Sequence, residues 1–538
     1  MTLPSSRTTT AQSAPPVLDG NRHVRSTPVL WALAAALVVY LSYCLALVMT
    51  RAPWYDEGFM VNPAYAWLTT GYPGISILDD SGPCLPSKTQ VSMRGIREHV
   101  YLVMPLYFVA LAAWIKAFGF GLLTARLFTV FCGALVLLLW CYTVRYLVGD
   151  TAVAVVTLAL IGGDYGFILR ASEARMDMLS ALFGFGGLAI YLYLRNRSFS
   201  WAVFLSNLCV SASAFTHPNG GMLAGAGLVF LTLYYDWRSI RFRHVAIALT
   251  PYLMGAAGWA WYISKDVDSF RAQFLFNATY GGRANTFRSP LTTLKREIEM
   301  RYLYSLGGVG SATILSKLKL PVVIAYFCGV VGVLATRSLR QQKGYRALLF
   351  LAGIYFAVLA FTDGRKSMCY TVHVIPLYAA LMAALLVWLW RNHGPAVRGI
   401  LVTAVIGLSM IHAGGIAYQV RKDAYHNDYL PAISFIKQNV HGDQLIMGPG
   451  ALGFGLAFPA NLIDDFRLGA LNGKTPDWIV VNDWYEDMFG GLKSSEPSAY
   501  QFVRNRLEHQ YTPVYQHGSY TIYRRTLSPP SVKSGKIV

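Results

Sequence analysis

Charge is what this chain has least of. Asp, Glu, Lys and Arg make up 14 % of its 538 residues, against 54 % hydrophobic and 14 % aromatic, and the mean hydropathy is +0.40. So little polar surface excludes a soluble globule, and the chain reads as a polytopic membrane protein, one membrane domain with appendages. Acids are scarcer still: 27 Asp and Glu face 46 Lys and Arg, a formal net charge of +19. That excess excludes no partner by itself, but the basic residues sit in short segments between apolar runs and build no continuous face, so nucleic acid is not expected. They read as topology signals and as contacts to anionic lipid or phosphate. The 7 cysteines include no CxxC pair and no Cys/His zinc spacing, and Cys44, Cys132, Cys141, Cys209 and Cys328 lie within apolar runs. Neither a solenoid period nor the paired half-sequences of a transporter are visible.

What is present is a series of long apolar runs. Residues 1–27 are rich in Ser, Thr and Pro, carry Arg7, Arg22 and Arg25, and read as a disordered cytoplasmic tail. Pro28–Met49 is long enough to span a bilayer as a helix, about 20 residues, and without an A-x-A-like cleavage site it reads as a retained first helix. Further runs cover Leu123–Val148, Thr151–Ile168, Met178–Leu194, Trp201–Thr216, Gly221–Tyr235, His244–Ile263, Leu320–Ala335, Ala347–Thr362, Val372–Trp390 and Gly399–Tyr418. Val100–Phe118 is ambiguous, and Lys and Arg decide it. Arg145, Arg195/Arg197, Arg238/Arg241/Arg243, Arg337/Arg340/Lys343/Arg346 and Arg391/Arg398 share the N-terminal side only if Val100–Phe118 does not cross.

The expected fold is therefore mainly α, a polytopic membrane helix bundle of about eleven transmembrane helices plus outer juxtamembrane helices. Val100–Phe118 would lie in the outer interface, a depth that suits Tyr101, Tyr107, Trp114 and Lys116. The membrane domain covers 28–420, with outer loops at 51–121 and 264–319. Residues 421–538 change character, with helix-like text at Leu430–Val440, β-rich runs at Gln444–Met447, Trp478–Val481 and Ser519–Tyr523, and turn residues between them. They read as a small extracytoplasmic α/β domain. Cys84 and Cys369, the two cysteines outside the apolar runs, fall on the outer side, where a disulfide persists, but spacing leaves open whether they pair.

Three polar stretches gather on the outer side. Trp54-Tyr55-Asp56-Glu57-Gly58 sets two carboxylates just past the first span. Leu169-Arg170-Ala171-Ser172-Glu173-Ala174-Arg175-Met176-Asp177 places two arginines and two acids between two crossings, and Ala214-Phe215-Thr216-His217-Pro218-Asn219-Gly220 marks the next outer turn. Ionisable groups at membrane level are functional candidates. The alternative for Asp56 and Glu57 is a solvated loop, for Glu173 and Asp177 a structural ion-pair cluster, and for His217 a turn histidine before Pro218; residues alone leave both readings open.

Trp54–Glu57, then Met104-Pro105-Leu106-Tyr107, Gly119 and Arg126-Leu127, then Arg175–Asp177, the Thr216–Gly220 turn, Lys366–Tyr370 and Pro376 together resemble, in order and spacing, the membrane glycosyltransferases of the GT-C superfamily. The branch most similar is that of protein O-mannosyltransferases and aminoarabinose (lipid A) transferases. One departure stands out: Met104 occupies a position where many relatives carry Lys or His. The resemblance implies a glycosyltransferase that moves a sugar, with inversion, from a polyprenyl-phosphate donor of the undecaprenyl-phosphate type to a lipid, glycan or protein acceptor on the periplasmic face of a bacterial inner membrane. It implies Asp56 as general base, with Glu57 and Asp177 orienting it or the acceptor. Arg97, His99, Arg175, His217, Arg283, Arg288, Lys366 and Tyr370 are the substrate- and phosphate-binding candidates; as cations, several serve equally as interface anchors. A divalent cation on Asp56, Glu57 or Asp177 is the one cofactor that enters consideration. The alternatives from other classes are a polytopic transporter and a non-catalytic envelope assembly protein.

Overall fold

Every apolar run is helical in the computed structural model of the chain, which describes residues 27–79, 93–279, 286–287, 289–311 and 314–526. Arg283, Arg288, Cys84 and nearly all of the N-terminal tail lie outside the described residues. Helix α1 (Thr27–Thr50) is followed by α2 (Tyr55–Thr70), α3 (Pro105–Phe118), α4 (Leu122–Val148), α5 (Thr151–Gly163), α6 (Tyr165–Ala171), α7 (Met176–Leu194), α8 (Phe199–Thr216), α9 (Pro218–Asp236), α10 (Phe242–Ile263) and α11 (Val267–Thr279). Further helices cover Leu320–Ala335, Lys343–Thr362, Ile375–Asn392 and Pro395–Lys422.

Among the described residues, 7 helices are long and apolar enough to cross a membrane by themselves, and the bent pair α5–α6 makes 8. The remaining three runs are α9, α10 and Leu320–Ala335, a helix of 16 residues. Lipid is the only solvent that suits this bundle: Pro395–Lys422 buries just Ile416 and leaves apolar side chains such as Ile400 and Met410 exposed, which water would not tolerate. At its centre α7 packs against α4, α8 and α9, and its face of Ser180, Gly184 and Gly187 lets neighbouring backbones approach.

Two expectations need correction. The run Thr151–Ile168 is not one straight span but breaks by 64° between α5 and α6. Asp164 makes the break tolerable: its Oδ1 accepts from the Phe167 N–H at 2.7 Å, its Oδ2 from the Tyr326 hydroxyl at 2.6 Å, and His412 Nδ1 accepts the Tyr165 N–H at 3.0 Å, so the backbone groups freed by the bend find partners. The run Val100–Phe118 is helical only from Pro105, because proline suits the first turn of a helix and the extended Met104 caps it. At 14 residues α3 reaches about 21 Å, short of the roughly 30 Å hydrocarbon core.

The C-terminal domain holds a 5-stranded sheet of order β2-β1-β3-β5-β4, made of β1 (Ile446–Met447), β2 (Leu462–Ile463), β3 (Trp478–Asn482), β4 (Tyr511–His517) and β5 (Tyr520–Arg525). β1 pairs in parallel with β2 and β3, whereas β5 is antiparallel to β3 and β4. Helices Asp483–Ser495 and Pro497–His509 pack against each other and cover this sheet. The domain rests on α2: a Cβ on Gly58 would lie 2.7 Å from the Gly450 carbonyl, so only glycine allows the contact. Asp464 secures the seam, its N–H donating to the Ile77 carbonyl at 2.8 Å and its carboxyl accepting from the Gly450 N–H at 2.5 Å and the Tyr485 hydroxyl at 2.8 Å.

Candidate active site

The first turn of α2 carries both acids of the Trp54–Gly58 stretch, and they point to different neighbours. Glu57 is fully buried. Its Oε1 accepts from Arg126 Nε at 2.8 Å and the Ala174 N–H at 2.8 Å; its Oε2 accepts from Arg126 Nη2 at 2.7 Å and the Trp54 N–H at 2.7 Å. Arg126 also donates to the carbonyls of Val48, Arg51 and Ala52. Burial pushes the Glu57 carboxyl up, but the Arg126 guanidinium and the two backbone N–H groups outweigh it and hold it below the usual range. With every lone pair used, Glu57 is a tie between α1, α2, α4 and the Arg170–Asp177 segment.

Asp56 keeps an open side. Its carboxylate, with 20 % of the side chain exposed, pairs with Arg175 Nη1, and the same guanidinium holds Asp177 Oδ2 through Nε at 2.9 Å. One cation thus sits between two carboxylates, one from α2 and one from the first turn of α7. Trp54 is stacked by the guanidinium groups of Arg175 and Arg170, 5.0 and 5.4 Å from its ring. Arg170 in turn pairs with Glu173 at 2.7 Å, which Arg51 also reaches at 3.0 Å, so Glu173 belongs to a structural ion-pair cluster.

His217 caps α9, its Nδ1 accepting the Asn219 N–H at 3.1 Å, and its Nε2 lies 3.2 Å from the Tyr370 hydroxyl. His217 and His373 are near enough to Asp177 to act on its charge. Asp177 Oδ1 and Asn219 Nδ2 are buried and lack a hydrogen-bond partner. The structure therefore brings Asp56, Glu57, Arg175, Asp177, His217 and Tyr370 into one neighbourhood.

Lys366, Arg97 and His99 stand elsewhere. Lys366 has a left-handed φ of 59° and turns its ammonium inward, 3.3 Å from Glu297 Oε2 and onto the Ala360 carbonyl, within a buried network with Arg301 and Asp363. Burial pulls its pKa below the ordinary value despite Glu297. Arg97 donates to the Leu78 carbonyl at 2.9 Å and the Ala460 carbonyl at 3.4 Å, joining the segment between α2 and α3 to the C-terminal domain. His99 sits among Tyr72, Tyr101 and Tyr262. Sequence reasoning missed Arg365, an exposed residue near Tyr55 and Tyr370. Its signal was only that it precedes Lys366 in the same turn.

A cavity of about 470 Å³ opens beside this cluster, lined by α6, the start of Leu320–Ala335 and the C-terminal half of Pro395–Lys422. Leu169, Leu306, Val322, Met368, Met410 and Ile411 give it apolar walls, and Arg170 and Lys319 stand in it as cations. Arg170 thus belongs to both the cavity wall and the ion-pair cluster.

The donor set does not fit a divalent cation. Asp56 and Asp177 already share Arg175, and Glu57 is closed by Arg126; among the described residues no group of three or more His, Cys, Asp or Glu is placed to hold a metal.

Comparison with solved structures bears on the fold. The chain is similar to ArnT from Cupriavidus metallidurans bound to undecaprenyl phosphate, at 15 % identity and a TM-score of 0.58 over 94 % of this chain and 99 % of that one. It has the GT-C fold. The GT-C architecture also appears in the Archaeoglobus fulgidus oligosaccharyltransferase in complex with Zn and sulfate, at 11 % identity and a TM-score of 0.52 over 92 % of this chain and 73 % of that one. The apo form of the same ArnT gives 15 % identity and a TM-score of 0.53. No family model and no curated protein matches the sequence. The likeness therefore lies in the three-dimensional course of the chain, which carries a GT-C membrane domain and a C-terminal appendage alike.

Proposed function

We propose that the chain is a glycosyltransferase that takes a sugar from a polyprenyl-phosphate donor and passes it, with inversion, to an acceptor hydroxyl or amine on the periplasmic face of the inner membrane. The observation that carries this reading is the shared Arg175: one guanidinium between Asp56 and Asp177, next to a largely apolar-walled cavity in which Arg170 and Lys319 stand as cations. The apolar walls suit an isoprenoid chain, and fixed cations suit its phosphate. ArnT, which shares the fold, is bound to undecaprenyl phosphate.

The mechanism follows from the pairing. When a donor phosphate arrives, its oxygens compete with Asp56 for Arg175, which is suited to bidentate phosphate contact. Asp56 is released toward the open side and takes the proton of the acceptor as that group attacks the anomeric carbon. The anomeric C–O bond breaks, and the electron pair stays on the phosphate, whose charge Arg175 stabilises. Arg365 stands on the exposed side as a second cation for that phosphate. Asp177 Oδ1, without a partner, is an acceptor for a sugar hydroxyl.

A transporter would carry broken helices in matching halves, whereas α5–α6 is the only bent pair among the described residues. Radiolabelled sugar transfer in detergent, with and without a polyprenyl-phosphate donor, tests the proposal. Transfer that needs the donor and collapses in Asp56→Asn supports it; equal transfer without the donor sinks it.

A further inference from the structure

Tyr55, directly before Asp56, reaches the C-terminal domain. Its ring stacks on Trp484 of that domain, 4.2 Å between centroids and 16° between planes. On its other sides Tyr55 meets Phe59 and Trp54 edge-on, each at 5.7 Å, and Trp54 is the ring on which Arg175 lies. An unbroken line of contacts therefore runs Trp484, Tyr55, Trp54, Arg175, Asp56.

Trp484 is held rigidly from its own side. It opens the helix Asp483–Ser495, capped by Asn482 Oδ1, which accepts the Tyr485 N–H at 3.1 Å, and Tyr485 anchors on Asp464. Phe466 closes against it edge-on at 6.2 Å. Tyr55, by contrast, lies in the first turn of α2, where backbone N–H groups lack helical partners and fray most easily. A stacked aromatic partner adds packing that holds that turn in place.

We propose that Trp484 is a positioning residue: by stacking on Tyr55 it fixes the first turn of α2, and with it the aim of Asp56 against Arg175, so the C-terminal domain is part of the catalytic unit. This rests on the glycosyltransferase reading for its kinetic consequence but not for its structural one. Asp56 and Arg175 act on the reacting groups; Trp484 acts only through Tyr55.

The test compares full-length wild type, Trp484→Ala, Trp484→Phe, Tyr55→Ala and the double Trp484→Ala/Tyr55→Ala in detergent. One arm reads hydrogen exchange, and the other reads kcat and donor KM with a panel of radiolabelled sugars on undecaprenyl phosphate. Trp484→Ala is expected to speed exchange over residues 54–58 and to lower kcat, each about tenfold, the scale of one aromatic pair, with donor KM changed less than about twofold. Trp484→Phe restores most of both, and protection of the β1–β3 pairing stays as in wild type. Tyr55→Ala repeats the loss without touching the domain, and the double variant loses no more than either single one. Wild-type exchange over 54–58 together with wild-type kcat in Trp484→Ala overturns the inference, as does an additive double variant. A wild-type protein that transfers none of the sugars defeats the functional reading instead, and the exchange arm still decides the stack.

Discussion

Replacing Glu57 by glutamine tests how the site is built. The change keeps the shape of the side chain, so a solvated acid would tolerate it. The structure says otherwise, because all four contacts of the carboxylate come from donors: Arg126 Nε and the Ala174 N–H on Oε1, Arg126 Nη2 and the Trp54 N–H on Oε2. A glutamine amide presents one oxygen and one NH₂. Whichever way it turns, the NH₂ faces two donors, and the fully buried Arg126 loses its counter-charge. Breaking a buried pair from one side costs about 3–5 kcal/mol. Because Glu57 binds the N–H groups of Trp54 and Ala174, the loss should concentrate where α2 begins and at residues 172–175. Hydrogen exchange reads it as a fall of about 3–5 kcal/mol in local opening free energy over those segments. The double change Glu57→Gln/Arg126→Met removes the stranded charge and should recover part of the loss. Opening energies in Glu57→Gln within about 0.5 kcal/mol of wild type, the range of ordinary surface changes, would refute the argument and return Glu57 to the solvated reading.

Further expectations concern Asp56, the two cations and pH. Asp56→Asn should lower transfer about 10²–10⁴-fold with donor binding and folding retained, and near-normal turnover in that variant removes the base assignment. Arg175→Ala should weaken donor binding and turnover together, whereas Lys366→Ala, which removes one of the two cations on the buried Glu297 and leaves it only Arg301, should show first as a lower unfolding temperature; titration of undecaprenyl phosphate and a thermal scan separate the two, and the opposite pattern reverses the roles. Burial raises the Asp464 carboxyl to about 7, so its contribution to stability is fully present below its unfolded pKa of about 4 and is lost as pH rises through about 7. Limited proteolysis of the C-terminal domain should be faster at pH 8.5 than at pH 5.5, and Asp464→Asn should flatten the difference; equal pH dependence in both proteins contradicts the assignment. Gly58→Ala should loosen the seam with Gly450, read as faster exchange in Gly450–Leu452, and unchanged protection there sinks that contact.

The helices of the membrane domain were legible because their cause is local. A run of apolar residues must satisfy its own backbone in lipid, so composition over about 20 positions dictates a helix wherever its neighbours lie. The GT-C fold was indicated by resemblance, through the order and spacing of Trp54–Glu57, Arg175–Asp177, the Thr216–Gly220 turn and the other matched stretches, and the solved structures share that fold. Only three of the five strands were anticipated, since β2 and β4 gain their identity from pairing, with β1 and with β5. The division of labour among charges was not in the sequence at all. Asp56 and Glu57 are adjacent and alike in text, yet a helical turn sends one to Arg175 at an open edge and the other to Arg126 in a closed core. Lys366 and Arg365 are likewise neighbours, and a left-handed φ at Lys366 turns it inward while Arg365 stays outside. Which carboxylate keeps an open side, which cation turns inward, and that a tryptophan over 400 residues away in the chain closes on Tyr55 are matters of direction and packing, which arise only when distant segments meet.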